Sequence, residues 1–158
     1  MPHILIVCTA NICRSPVGEA LLRDRLQKRG LHDWAVSSAG TWAKQVRGAS
    51  QYSIQLMAEQ GLDISAHQAQ MVTAEHLADA DLVLCMEVGH AEALKIEFPE
   101  YAEKIYLLSE MIGRRFSIND PYGGEIEDYR IMVAELTEII DEGLDRIIEL
   151  ATRHAVQS

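Results

Sequence analysis

Cysteine is scarce in this chain, with three among 158 residues and none in a Cys-x-x-Cys pair. That is too few for a disulfide framework. The six histidines never fall in a His-Glu-x-x-His arrangement, so no metal site is expected, and nothing in the pattern asks for a cofactor. Positive charge is also short: 14 basic residues face 24 acidic ones, and the net charge of −10 argues against nucleic acid or an anionic membrane surface as partner. The N-terminus lacks a charged leader, and its apolar run is far shorter than a signal segment or a membrane span. A cytoplasmic protein without membrane insertion is the expectation. Internal repeats, low-complexity stretches and linkers are missing as well. With 48% hydrophobic residues, the length fits one domain over 1–158.

What is present centres on Cys8-Thr9-Ala10-Asn11-Ile12-Cys13-Arg14-Ser15-Pro16. The run Ile4-Leu5-Ile6-Val7 before it has the length of a buried strand. Pro16, Val17, Ala20 and Leu21 after it open a helix. The nine residues therefore form a strand-to-helix loop, the place where α/β folds bind ligands. Such a loop turns backbone N–H groups toward one point, and the helix dipole adds positive potential there. An anion fits that cradle, and Arg14 adds a planar fork of donors for two phosphate oxygens. Cys8 lies at the mouth of the same field, which favours a thiolate facing the phosphate and set for in-line attack. The Cys-x5-Arg spacing is weak by itself; the strand before it and the helix start after it give it weight. Asn11 suits a left-handed backbone in a tight turn.

Along the rest of the chain a first helix is expected from Pro16 to Arg29, stopped by Gly30. Asp33 to Ser38, with Trp34-Ala35-Val36, reads as a second strand, followed by a loop from Ser38 to Ser50 and a helix from Ala49 to Gln60. Leu62 to Thr73 looks irregular, and a short helix near 74–78 leads to the apolar strand Leu82 to Met86. Val88 to Phe98 reads as helix ended by Pro99, and Ile105 to Leu108 as the fourth strand. The clearest periodicity runs from Tyr129 through Met132, Leu136, Ile140, Leu144 and Ile147 to Ala151, a long amphipathic helix. Asp141, Glu142, Asp145 and Arg146 fall off that stripe and read as a solvated face. Strands alternating with helices give a parallel sheet covered on both faces.

The loop from Cys8 to Pro16 resembles the phosphate-binding loop of the low-molecular-weight protein tyrosine phosphatases, in their bacterial form. The likeness continues through Ser38-Ala39-Gly40-Thr41, Asp63-Ile64-Ser65 with His67, the strand from Asp81 to Met86, and Asp120-Pro121-Tyr122-Gly123. The resemblance implies a single-domain, four-stranded parallel sheet in flavodoxin-like (Rossmann-type) order. It implies an enzyme that hydrolyses phosphotyrosine through a phosphocysteine, with Cys8 as nucleophile, Arg14 as phosphate clamp and Asp120 as general acid and base. Thr9, Ala10, Ile12 and Cys13 would complete the phosphate loop, which Asn11, Ser15, Ser38 and His67 would hold by hydrogen bonds. On its own, Ser15 reads as a helix N-cap. Tyr122 and Trp42 would wall the cleft, and Cys13 would form a reversible disulfide with Cys8. The implied partner is a phosphotyrosine-containing protein, such as a bacterial tyrosine kinase, acted on by a monomer or weak dimer.

Three departures from the family pattern stand out. Ala10 stands where Gly is usual, which would cost about 1–2 kcal/mol if that site needs a positive φ. Gln70 replaces an Arg, and Ser50-Gln51-Tyr52 lacks the acidic-Pro-Arg run. Rival readings are weaker. An arsenate reductase of this fold needs two further resolving cysteines, and only Cys85 remains. An arginine phosphatase has Thr where this chain has Ile12. A receiver module needs acids where strand one ends in Cys8, and a flavin loop would be rich in Ser and Thr.

Overall fold

The computed structural model describes residues 1–157, so the last residue of the expected domain lies outside them. Four strands, β1 (His3–Cys8), β2 (Ala35–Gly40), β3 (Leu82–Cys85) and β4 (Ile105–Leu107), form one parallel sheet in the order β2-β1-β3-β4. This is the flavodoxin-like order. Five helices alternate with them: α1 (Arg14–Lys28), α2 (Gln51–Glu59), α3 (Ala74–Asp79), α4 (Val88–Glu97) and α5 (Ile126–Gln157).

The strands are apolar on both faces because helices cover both. Side chains alternate along β1, so Ile4 and Ile6 point one way and Leu5 and Val7 the other. The first face packs with Leu82 and Leu84 of β3 against Leu21 of α1, Met57 of α2 and the α5 stripe of Met132, Leu136, Ile140, Leu144 and Ile147. The second meets Leu77 of α3 and Ala91 and Leu94 of α4. The off-stripe acids of α5 are partly tied down. Asp141 accepts from Arg25 Nε at 2.8 Å and Asp145 pairs with Arg29 at 2.8 Å, exposed bridges of the class that adds about 0–1 kcal/mol each.

Several boundaries shift from the sequence expectation. Helix α1 starts at Arg14, two residues before Pro16, so Ser15 lies inside the first turn and Cys13 takes the N-cap position. Ser15 is therefore not the N-cap. Strand β2 runs on to Gly40, two residues past the expected stretch that ends at Ser38, because it pairs with β1 residue for residue up to Cys8↔Gly40. Pro99 ends α4 as expected but opens a 3₁₀ turn over Pro99–Lys104, and another covers Leu108–Ile112. Local propensity does not distinguish such turns from loop.

The Cys8↔Gly40 register brings two backbones together. A Cβ at Gly40 would run into the Thr9 carbonyl oxygen and stand 3.1 Å from the Ala10 carbonyl carbon. Gly40→Ala should therefore lower stability by about 1–3 kcal/mol, the usual cost of overpacking. Gly89→Ala, at an α4 position with open space around it, should not. Urea denaturation of the two variants checks this, and equal midpoints would show that the β1–β2 junction yields freely.

Candidate functional site

The loop from Cys8 to Arg14 leaves β1 at the carboxyl edge of the sheet, between its two neighbours β2 and β3. Its conformation follows from where its carbonyls go. Cys8 O accepts from Thr41 N at 3.0 Å, Thr9 O from Trp42 N at 2.8 Å and Ile12 O from Ser50 N at 2.8 Å. Asn11 O accepts from His67 Nε2 at 2.7 Å and Cys13 O from Ser53 Oγ at 3.1 Å. Five carbonyls thus point outward to surrounding elements. No peptide bond among the described residues is cis, and in a planar trans peptide the next N–H points opposite to the carbonyl. The N–H groups of Thr9, Ala10, Ile12, Cys13 and Arg14 are therefore directed toward the middle of the loop. Together with the start of α1 they make a concavity of positive partial charge.

Asn11 sets the turn. Its φ of 59° is the one positive value at a non-glycine among the described residues. Its side chain is fully buried and bonded: Nδ2 donates to Ser15 Oγ at 2.7 Å and Ser38 Oγ at 2.9 Å, while Oδ1 accepts from Gln70 N at 3.0 Å. Ser38 Oγ in turn donates to Glu19 Oε1 at 2.6 Å. Ser15 Oγ, which accepts from Asn11, also lies within hydrogen-bond reach of Cys8 Sγ, 2.9 Å away. Ala10 carries no left-handed strain, so the expected penalty for lacking Gly there does not arise. Gln70 supports the loop as well, donating Nε2 to Ser38 O at 2.9 Å.

Arg14 is 1% exposed. Nη1 donates to Ile118 O at 2.6 Å, and Nη2 reaches Thr9 Oγ1 at 3.1 Å, Glu87 Oε2 at 2.8 Å and Asp120 Oδ2 at 3.5 Å. Its buried Nε has no partner among the described residues. A buried donor left free beside the N–H concavity fits an anion. Burial resists ionisation of Glu87, but the adjoining Arg14 outweighs it and the carboxyl lies below its usual range. His90 donates toward or accepts from Thr9 Oγ1 at 2.9 Å; burial holds its imidazole below the usual range against the pull of Glu87. Glu87 and His90 escaped the sequence reading. They follow β3 at the same carboxyl edge as Cys8, and that edge rule was the signal that could have found them. Glu19 and the Ile118 carbonyl carried no such signal.

Above the loop is a cleft of about 400 Å³. Cys8, Thr9, Ala10, Ile12, Cys13 and Arg14 line its floor, with Trp42, Asp120 and Tyr122 higher up. Asn11, Ser15, Ser38 and His67 lie beneath as supports. Asp120 Oδ1 accepts from Tyr122 N at 3.1 Å, the local turn that the Asp-Pro-Tyr order favours. Trp42 and Tyr122 are 63% and 61% exposed at the mouth. Burial pushes the Cys13 thiol up, in spite of a 3.5 Å contact with the Tyr129 hydroxyl. Cys85 is fully buried in β3 and pushed up to about 12, an inert thiol away from the cleft. Among the described residues no group of His, Cys, Asp or Glu is arranged to hold a metal, and no helix is long and apolar enough to cross a membrane.

Fold and site together define an α/β protein with a concavity of inward-directed N–H groups at the carboxyl end of its first strand. The model of the low molecular weight phosphotyrosine protein phosphatase family matches residues 3–152. A protein-arginine-phosphatase of Geobacillus stearothermophilus is 37% identical over 149 residues, 93% of this chain and 97% of that one. The probable low molecular weight protein-tyrosine-phosphatase EpsP of Ralstonia nicotianae is 35% identical, covering 90% of each chain. The crystal structure of a low molecular weight protein tyrosine phosphatase from T. tengcongensis superposes with a TM-score of 0.86 at 37% identity, over 92% of this chain and 99% of that one. The chain belongs to the low molecular weight phosphotyrosine protein phosphatase family.

Asn11 is the support whose loss reads out most directly. Asn11→Ala removes two donated bonds and one accepted bond and leaves a Cβ residue in the left-handed region. It should destabilise the fold by about 2–4 kcal/mol. Urea denaturation measures it; a loss under 1 kcal/mol would mean the loop keeps its shape without the amide.

Proposed function

We propose that this protein is a protein-tyrosine phosphatase that works through a phosphocysteine. The observation that carries the reading is the outward turn of five carbonyls, which aims five N–H groups at the space in front of Cys8. Those donors and the free Nε of Arg14 match the oxygens of a phosphate, and an oxyanion so held gains as charge builds in the transition state. Cys8 Sγ attacks phosphorus, the P–S bond forms and the P–O bond to the leaving group breaks. Asp120 gives that oxygen its proton. Water then attacks the phosphocysteine, Asp120 takes a proton from it, and inorganic phosphate leaves with Cys8 restored. The Ser15 proton lies where a thiolate, as leaving group of the second step, would accept it. Cys13, beside Cys8 on the floor, is the proposed disulfide partner under oxidation.

Substrate choice follows from the walls. Trp42 and Tyr122 stand above a floor set by buried Cys8, so phosphorus must be presented at the end of a long group. A phosphotyrosine ring reaches it and can stack on the aromatics, a contact of about 0.5–1.5 kcal/mol beyond area burial; phosphoserine is too short. The substrate would be a phosphotyrosine-bearing protein in the cytoplasm, a bacterial tyrosine kinase being the candidate. A second reading has its own observation, the arginine phosphatase name of the Geobacillus relative. Against it stands Ile12, which lines the cleft with an apolar surface and offers a guanidinium no acceptor. An unpaired polar group there costs about 1–3 kcal/mol.

Cys8→Ser should abolish hydrolysis of an aryl phosphate yet still bind vanadate, since the cradle and Arg14 remain. Asp120→Asn should slow turnover by roughly 10²–10⁴-fold on poor leaving groups and less on good ones. Turnover near wild type in Cys8→Ser would remove the mechanism, and an equal loss across leaving groups would make Asp120 structural.

Peptides carrying phosphotyrosine, phosphoserine, phosphothreonine or phosphoarginine test the substrate. The first should be preferred, and Ile12→Thr should raise relative activity on the last. Comparable kcat/KM for phosphoserine would refute the deep cleft, and a phosphoarginine preference in wild type would favour the second reading.

A further inference from the structure

The cleft rim carries two cations on a protein whose net charge is −10. Lys44 Nζ lies 3.9 Å from the centroid of the Trp42 ring, and the Arg47 guanidinium 6.0 Å from that of Tyr122. Both line the cleft. Most arginines of this protein are matched by carboxylates, Arg23, Arg25, Arg29, Arg115, Arg130, Arg146 and Arg153 among them. Lys44 and Arg47 are not: no ion pair involves either among the described residues, and aromatic faces place them instead. A ring face orients a cation without cancelling its charge. The segment is also fixed at both ends, by Trp42 N donating to Thr9 O at 2.8 Å and Ala69 N donating to Arg47 O at 2.8 Å. Between them Val46 is 81% exposed, so an apolar side chain stands free beside the two charges.

We infer that Lys44 and Arg47 recognise carboxylate side chains flanking the phosphotyrosine of a peptide substrate. The inference rests on the phosphotyrosine reading and adds the surroundings of that residue. An extended chain whose phosphotyrosine ring descends between Trp42 and Tyr122 must cross this rim, and its neighbouring side chains fall within reach of the two unneutralised cations. A neighbouring hollow that shares Asp120 and Tyr122 with the cleft has the other sign. It is lined by Asp120, Asp128 and Glu135, with Ile131. Acidic side chains are therefore favoured where they meet Lys44 and Arg47 and disfavoured where they meet the acids of that hollow. Exposed pairs of this kind contribute about 0.2–1 kcal/mol each, so two amount to roughly a two- to thirtyfold preference at low salt, fading as salt screens them.

The experiment compares four phosphotyrosine peptides of equal length: neutral on both sides, two glutamates before the phosphotyrosine, two after it, and two lysines on both sides. The full-length enzyme is used, with an aryl phosphate that has no flanks as reference. One of the two glutamate peptides should exceed the neutral one by about two- to thirtyfold in kcat/KM, and which one gives the direction of the bound chain. Lys44→Glu with Arg47→Glu should cancel or reverse that preference, Lys44→Gln with Arg47→Gln should flatten it, and 0.5 M salt should shrink it. Equal kcat/KM for all four peptides overturns this inference alone. So does a glutamate preference that survives charge reversal. Turnover of the aryl phosphate but of no phosphotyrosine peptide removes the substrate reading and this inference with it.

Discussion

The direction in which five peptide carbonyls point, between Cys8 and Cys13, governs the chemistry available in front of the sulfur. Each is drawn outward by a different neighbour: Thr41 and Trp42 after β2, His67 in the long irregular segment, Ser50 and Ser53 at the start of α2. Because peptides are planar and trans, that outward pull aims the N–H groups inward. The turn also needs one residue in the left-handed region, and Asn11 supplies it with an amide that bonds Ser15, Ser38 and Gln70. A hydrocarbon of similar size would leave those buried groups unpaired, so the residue type is dictated by satisfaction as much as by φ. The loop is accordingly a product of elements far apart in sequence.

Charge is handled locally. A body with net charge −10 would repel a dianion at long range, but exposed charges beyond about 8 Å are largely screened at physiological ionic strength. What counts is the first layer: inward N–H groups, the start of α1 and the buried Arg14. Burying a guanidinium is costly, and here Ile118 O, Thr9 Oγ1 and Glu87 satisfy it from the back while Nε stays free. Glu87 and Thr9 thus fix the plane of the fork, and His90 fixes Thr9 in turn.

The scaffold places these groups by simple rules. A parallel sheet sends all four carboxyl ends to one edge, so the loops after β1, β2 and β3 meet there. Cys8 comes from the first, Trp42 from the second, Glu87 and His90 from the third. Gly40 lets β2 approach the turn closely enough for Thr41 and Trp42 to hold its carbonyls. Asp120 and Tyr122 arrive on the segment leading into α5, whose long apolar stripe seats it against the sheet.

Sequence by itself carried the α/β class, the four strands, the long α5 and the cluster from Cys8 to Arg14, since these depend on local periodicity and on spacing within one loop. It also marked Asp120 and Tyr122, through a Pro-Gly context that resembles a known family. Other features were beyond it. The N-terminal edge of α1 moved to Arg14 because tertiary bonds to Ile12 O and Cys13 O, not a serine cap, close the turn. Ala10 was harmless because the positive φ fell on Asn11, a choice made by the whole loop. Glu19, Gln70, Glu87, His90 and the Ile118 carbonyl act from 19 to 104 residues away from the groups they support. No local pattern encodes such pairings; only the packing of strands, helices and connecting segments brings a donor within hydrogen-bond distance of its acceptor, and there the tertiary structure decides.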